Sequence, residues 1–211
     1  QPTNLKDESF LAELKALQEI ENYDVDLYYR IARGYMEAQR YREGCELFLH
    51  LHAIGGQEKG EEALYLAFIC ASRILPWDRA YEIGRMYMDK YPSGKWFDEL
   101  TLMIGQMYAK EQNWPEVIRH YSEVLTLRPN HESAAECLFL LGYAHFMEEQ
   151  FEQSIVRLKE LRSRFPEWEQ TDAAVYWTAM ALMFNGDYDE AAEDFDLLLT
   201  RYAGTTYTED G

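Results

Sequence analysis

Cysteine is scarce in this 211-residue sequence. The three present, Cys45, Cys70 and Cys137, are far apart and odd in number, so no disulfide framework is implied. Each falls among apolar residues at helical spacing, the setting of a small buried hydrophobe. Basic residues are also few. Lys and Arg total 20 against 38 Asp and Glu, a formal charge of −18. Such a surface repels phosphate, which argues against nucleic acid as a partner. No apolar run is long: the longest, 63–75, contains Arg73 and falls short of the roughly 20 residues a membrane helix needs. No cleavable signal peptide begins at Gln1.

Catalytic and metal signatures are missing as well. There is no Gly-rich phosphate loop, no G-x-S-x-G and no H-E-x-x-H. His50 and His52 are two apart and so point to different helix faces, which argues against a shared metal. The acidic spacing in 185–189 resembles a calcium loop, but the glycine is misplaced and the closing glutamate is lacking. It reads as a turn and a helix cap. His145 reads as a packing residue. An enzyme would need convergent acid and base groups, and none stand out. No cofactor is expected.

What is present is a core and a repeat. Apolar residues make up 47% and aromatics 15%, too apolar for a disordered chain despite the charge. An aromatic followed three residues later by a small or β-branched residue recurs at Tyr41/Gly44, Trp77/Ala80, Trp114/Val117, Phe151/Ser154 and Tyr188/Ala191, with spacings of 36, 37, 37 and 37. Fifteen residues after each aromatic stand Gly56, Pro92, Pro129, Pro166 and Ala203. Nine residues before stand Ala32, Phe68, Gly105, Gly142 and Ala179.

One period can be read physically. In 98–110, Leu100, Ile104 and Met107 follow an i, i+4, i+7 path, the mark of an amphipathic helix. Asn113 can cap a second helix, with Glu116 completing a capping box. That helix carries Val117, Tyr121, Val124 and Leu125 and stops before Pro129. The pattern Asp187-Tyr188-Asp189-Glu190 repeats the same start. Gly105, Gly142 and Ala179 let helix backbones approach, and the five aromatics are expected to fill the corner between helices. Leucine at Gly142 should overpack, whereas alanine, the better helix former, should be tolerated or help. Each period is thus a helix–turn–helix that cannot bury its apolar face alone, and stacking such units gives a solenoid.

The pattern resembles the tetratricopeptide repeat (TPR) family. The resemblance rests on Gly142, Tyr143, Phe151, Ser154, Leu158 and Pro166 in one copy, and on Ala179, Tyr188, Ala191, Phe195 and Leu198 in another. It covers about residues 25–208. The period exceeds the family's usual 34 by two or three residues. Together with the Tyr91-Pro92-Ser93 stop, this is similar to the bacterial envelope branch, of the Tol–Pal coordinator and β-barrel assembly lipoprotein type. The resemblance implies an all-α, right-handed solenoid of about five helix pairs in a single domain. The units are approximately 25–60, 61–97, 98–134, 135–171 and 172–208. An extra N-terminal helix is expected over 8–20, where Phe10, Leu11, Leu14 and Leu17 keep helical spacing. Because 205–211 ends where a further first helix would begin, a fragment of a longer chain is expected, or a last unit packed on a partner.

The resemblance also implies a function. In the family, the first helix of each unit turns set positions toward a concave groove that holds a peptide or protein segment. Mapped by register, these are Tyr29 and Arg33; Tyr65 and Arg73; Gln106 and Lys110; Phe139, Tyr143 and Phe146; and Tyr176, Met180 and Met183. The first three units mix charge with apolar groups. The last two are aromatic and Met-rich, which suits an adaptable apolar site. Residues 187–196 hold six acids in ten, read as a solvated second-helix face or a dock for a basic partner. The implied role is a non-catalytic interaction scaffold, in a bacterial periplasmic or outer-membrane-associated setting rather than the cytoplasm. The alternatives are a chaperone for an apolar segment of a secreted or membrane subunit and, less well supported, an enzyme on a helical-repeat fold.

Overall fold

The computed structural model describes residues 23–205 and 207. The expected helix at 8–20 lies outside them. Ten helices occur among the described residues, with no strand: α1 (Tyr23–Glu37), α2 (Tyr41–Ile54), α3 (Gly56–Ala71), α4 (Asp78–Lys90), α5 (Phe97–Lys110), α6 (Trp114–Leu127), α7 (Ala134–Met147), α8 (Phe151–Arg164), α9 (Thr171–Asn185) and α10 (Tyr188–Arg201). They form five helix pairs. The second helices begin at Tyr41, Trp114, Phe151 and Tyr188, as the aromatic spacing predicts, and within one residue of Trp77. The described residues divide after Phe97 into two compact units.

In the first unit, α1 to α4 pack each on the next, around Phe48, Leu51, Leu64, Phe68, Ile83 and Tyr87, all fully buried. In the second, α6 to α10 do the same, and Leu100, Tyr121, Leu138, Leu141 and Leu158 are fully buried. The column three residues after each aromatic is buried throughout, at Gly44, Ala80, Val117, Ser154 and Ala191. The aromatics themselves differ from the reading: Tyr41, Trp77, Trp114 and Phe151 are only half-buried, and Tyr188 is 69% exposed. At or just before the first position of a helix these rings lie over the turn rather than within the core.

The turns explain the sharp reversals. Four pairs close α-to-α with the same motif. The residue two before the aromatic is left-handed, at Gln39, Gln112, Glu149 and Gly186. Its N–H bonds three residues back, and the next N–H bonds five back, as in Glu149 N to Phe146 O (2.9 Å) and Gln150 N to His145 O (2.9 Å). Only Gly186 adopts this φ without a Cβ penalty. The expected side-chain caps are not made: Asn113 and Asp187 form no cap hydrogen bond. Their ψ of 68° and 61° stops short of the extended region from which a cap side chain reaches back. Glu116 instead pairs with Arg119, and Asp187 accepts from Asn185.

The second pair departs from the others. Phe68 occupies its small-residue column, and residues 72–77, with a cis Leu75–Pro76 bond, replace the two- or three-residue turn. Its first helix also starts at Gly56, ahead of the expected boundary at 61. No proline stops the chain there, and Gly56 at φ +68° makes the reversal.

Contacts one period apart tie successive pairs. In the first unit Tyr29 Oη donates to Glu62 (2.6 Å), and Lys59 pairs with Asp26. In the second, Arg162 forks onto Asp194 (2.7 and 2.8 Å), and Lys159 pairs with Glu190. Two acids of the 187–196 run are therefore neutralised by the preceding second helix. The other four acids of that run are exposed.

Candidate protein-interaction surface

In the first unit the register residues are largely engaged by their own chain. Tyr29 bonds Glu62 and meets Phe48 edge-on, and Arg33 lies beside its hydroxyl. Burial, and then the Glu62 carboxylate, push the Tyr29 phenol up. Tyr65 stacks on Trp96 with centroids 4.8 Å apart, and Lys95 covers the same indole at 4.8 Å. Arg73 is exposed on the long connection. Mixed polar composition at these positions marks bonds between successive first helices.

The second unit differs. Gln106 and Lys110 are exposed on α5. Phe139 turns inward, against Trp168 and the core of Leu138, Leu161 and Ala174. Ala173 is buried near the start of α9. Tyr143, Phe146, Tyr176 and Met180 are half-buried, and Met183 is exposed. They belong to one chain of rings. Trp114 meets Tyr143 (5.8 Å), Tyr143 meets Trp177 (4.8 Å), and Trp177 meets both Phe146 (5.1 Å) and Tyr176 (5.3 Å). Phe146 then meets Phe151 and Phe184, which stack on each other at 5.4 Å. Tyr207 leans on Tyr176 at 5.0 Å, and burial raises its hydroxyl pKa.

Edge-to-face contact fixes each ring on one side and leaves part of it open. The structure thus joins Tyr143, Phe146 and Tyr176 into one surface. Trp177, its hub, was absent from the expected set. The family register excludes its position, but the run Tyr176-Trp177 beside Met180 in an aromatic-rich helix was a visible signal. The histidines serve packing. His145 is buried with Nδ1 2.7 Å from Gln150, and its pKa is lowered by burial. His52 lies on Gly60 O and Lys90, while His50 meets Tyr28. Burial holds the thiols of Cys45 and Cys70 up, at about 11 and about 12, so neither is poised as a nucleophile.

Residues 136–167 and 173–205, the two pairs that carry these rings, match the tetratricopeptide repeat family. The match covers these two segments of the chain. Solved structures share the fold over most of its length. MamA residues 41 to the end from Desulfovibrio magneticus RS-1 is 18% identical, with 86% of this chain and 97% of that one covered, at a TM-score of 0.58. MamA AMB-1 is 16% identical, with 90% and 98% covered, at 0.60. A Podosopora anserina kinesin light chain protein with nearly identical TPR-like repeats is 15% identical, with 89% and 99% covered, at 0.56. No curated protein matches the sequence. Identities this low speak to the fold alone. No helix among the described residues is long and apolar enough to cross a membrane.

Proposed function

We propose that this chain is a non-catalytic scaffold that holds a segment of a partner protein against the first helices of its last two repeats. The observation that carries this is the half-open ring chain Tyr143–Trp177–Phe146–Phe184, flanked by Met180 and Met183, on repeats of an interaction fold. Aromatics and methionine are the types enriched where proteins meet. A bacterial envelope or secretion assembly is the setting we favour. The support is the long repeat and the Tyr91-Pro92-Ser93 stop, and a lipoprotein signal encoded upstream of Gln1 would test it. The exposed Met147 and Met183 beside the rings favour a second reading, a chaperone for an apolar segment of a secreted or membrane subunit.

The test places a photo-crosslinker at the exposed Met183 and a control at the exposed Leu199 of α10. A partner protein should be captured from the native organism at 183 and not at 199. Tyr143→Ala should reduce that capture while the melting curve stays cooperative. Equal capture at both positions, or capture indifferent to Tyr143→Ala, would refute the placement.

A further inference from the structure

The occupant's chemistry can be read from what the aromatic surface lacks, and this inference rests on the placement just proposed. Elsewhere the chain covers its own rings with cations. Arg40 lies over Tyr35 (4.7 Å), Lys95 over Trp96 (4.8 Å) and Arg164 over Phe165 (5.2 Å), and Lys90 over Tyr91 and Arg201 over Tyr202 each lie at 5.7 Å. Between Arg128 and Arg157, and again between Arg164 and Arg201, the sequence has no lysine or arginine. These are its two longest stretches without one, of 28 and 36 residues. They contain α7 and α9 entire, and with them Tyr143, Phe146, Phe151, Tyr176, Trp177, Phe184 and Tyr188.

The rings at the turn edge are open. Phe184 is 56% exposed although it stacks on Phe151, and Tyr188 is 69% exposed. The adjoining turns and first helical residues carry Glu148, Glu149, Glu152, Asp187 and Asp189, all exposed or half-exposed. The basic residues that reach toward α10 from α8, Lys159 and Arg162, are held by Glu190 and Asp194. Residues 98–211 hold 22 acids against 8 bases, a net −14.

We propose that the Phe151–Phe184–Tyr188 edge of the last two repeats receives arginine side chains from a segment of a partner protein. The guanidinium planes lie on the open ring faces, and the surrounding carboxylates draw them in. A cation above a ring is attracted by its quadrupole, and arginine adds planar stacking that lysine lacks. The acidic rim accelerates and selects the encounter, and the rings confer the preference for arginine over lysine.

The probe is a fluorescein-labelled peptide, acetyl-(Arg-Ala-Leu-Ala)3-amide, titrated by anisotropy against the whole chain at physiological salt, beside its Lys-for-Arg and Gln-for-Arg counterparts. The expected order is Arg tighter than Lys tighter than Gln, with Gln at least tenfold below Arg. Phe184→Leu and Tyr188→Leu keep apolar area and charge while removing a ring face at exposed positions. Each should weaken the arginine peptide about three- to tenfold and shrink its advantage over the lysine peptide. The inference is overturned if the arginine peptide does not bind, if the glutamine peptide binds equally well, or if both leucine variants leave arginine affinity unchanged. Glutamine-peptide binding as tight as the arginine peptide's, and weakened by Tyr143→Ala, would overturn it while leaving the placement of the partner site standing. Crosslinking indifferent to Tyr143→Ala would remove that placement itself.

Discussion

Gly105→Ala sets helix propensity against packing at one position, and the structure decides which wins. Alanine is favoured over glycine in a helix interior by about 1 kcal/mol, so propensity alone predicts a gain. A Cβ built on Gly105 lies 2.6 Å from Tyr121 Cε2 and closer still to Cζ and Oη. Ordinary contact begins near 3.4 Å, so the ring must retreat by on the order of an ångström. It has little room: Tyr121 is fully buried, its hydroxyl points to Leu102 O, and Cys137 and Glu136 of α7 also lie close to it. Overpacking of this kind costs about 1–3 kcal/mol, and an overlap this deep falls in the upper part of that range, so with the propensity gain subtracted the net expectation is a loss of about 1–2 kcal/mol. This reverses what helix propensity predicts. The assay is a urea titration of four proteins: wild type, Gly105→Ala, Tyr121→Leu and the double variant. Leucine ends before the colliding atoms, so the alanine should become neutral or stabilising in the Tyr121→Leu background. The reasoning fails if Gly105→Ala stabilises the otherwise unaltered chain, or if its penalty persists once Tyr121 is shortened.

Three further outcomes follow from the same geometry. Glu149→Gly and Gln112→Gly each relieve a left-handed residue at φ 57° and 55°, and each should raise stability by about 0.5–1 kcal/mol in urea titration. His120 is buried, its Nε2 donates to Thr101 O at 2.9 Å, and desolvation lowers its pKa to about 4. Between pH 6.5 and 4 the unfolded chain therefore takes up a proton that the folded chain refuses. Stability should fall as pH drops through that window, by about 3 kcal/mol at its lower end, relative to a His120→Gln variant that keeps a donor. Arg162→Gln removes the fork onto the mostly buried Asp194 and should cost about 1–2 kcal/mol, read as a lower urea midpoint.

The helix pairs were legible because their determinants are periodic and local. The small or β-branched residues three after each aromatic are buried in every copy, and the apolar paths of 98–110 and 114–127 fall on the observed helices. The turn chemistry was not legible, for a physical reason. Glycine announces a left-handed residue at 186, but glutamine and glutamate hide the same conformation at 39, 112 and 149, where tertiary packing holds it against its local cost. The second pair hid for a related reason: Phe68 and the lengthened connection 72–77 change together, so one column breaks while the aromatic spacing survives.

The candidate surface was half legible, and its two halves separate by what each residue type can do at a repeat junction. A tyrosine or arginine at a groove position can serve a partner or bridge to the next repeat, and the sequence does not distinguish them. In the first unit the bridges win, because Glu62 and Trp96 stand one period on to receive Tyr29 and Tyr65. In α7 and α9 no cation and few polar groups are available for such bridges. The rings therefore contact one another through one side and keep the other open. That difference is written in the distribution of lysine and arginine rather than in the aromatic columns. Replacing Met180 with arginine supplies the missing cation within the chain. If the open ring faces are what a basic segment recognises, Met180→Arg should weaken the arginine peptide at least as much as Phe184→Leu does, with the helix content unchanged by circular dichroism. Undiminished binding by that variant would show that the peptide is held by the acidic rim alone.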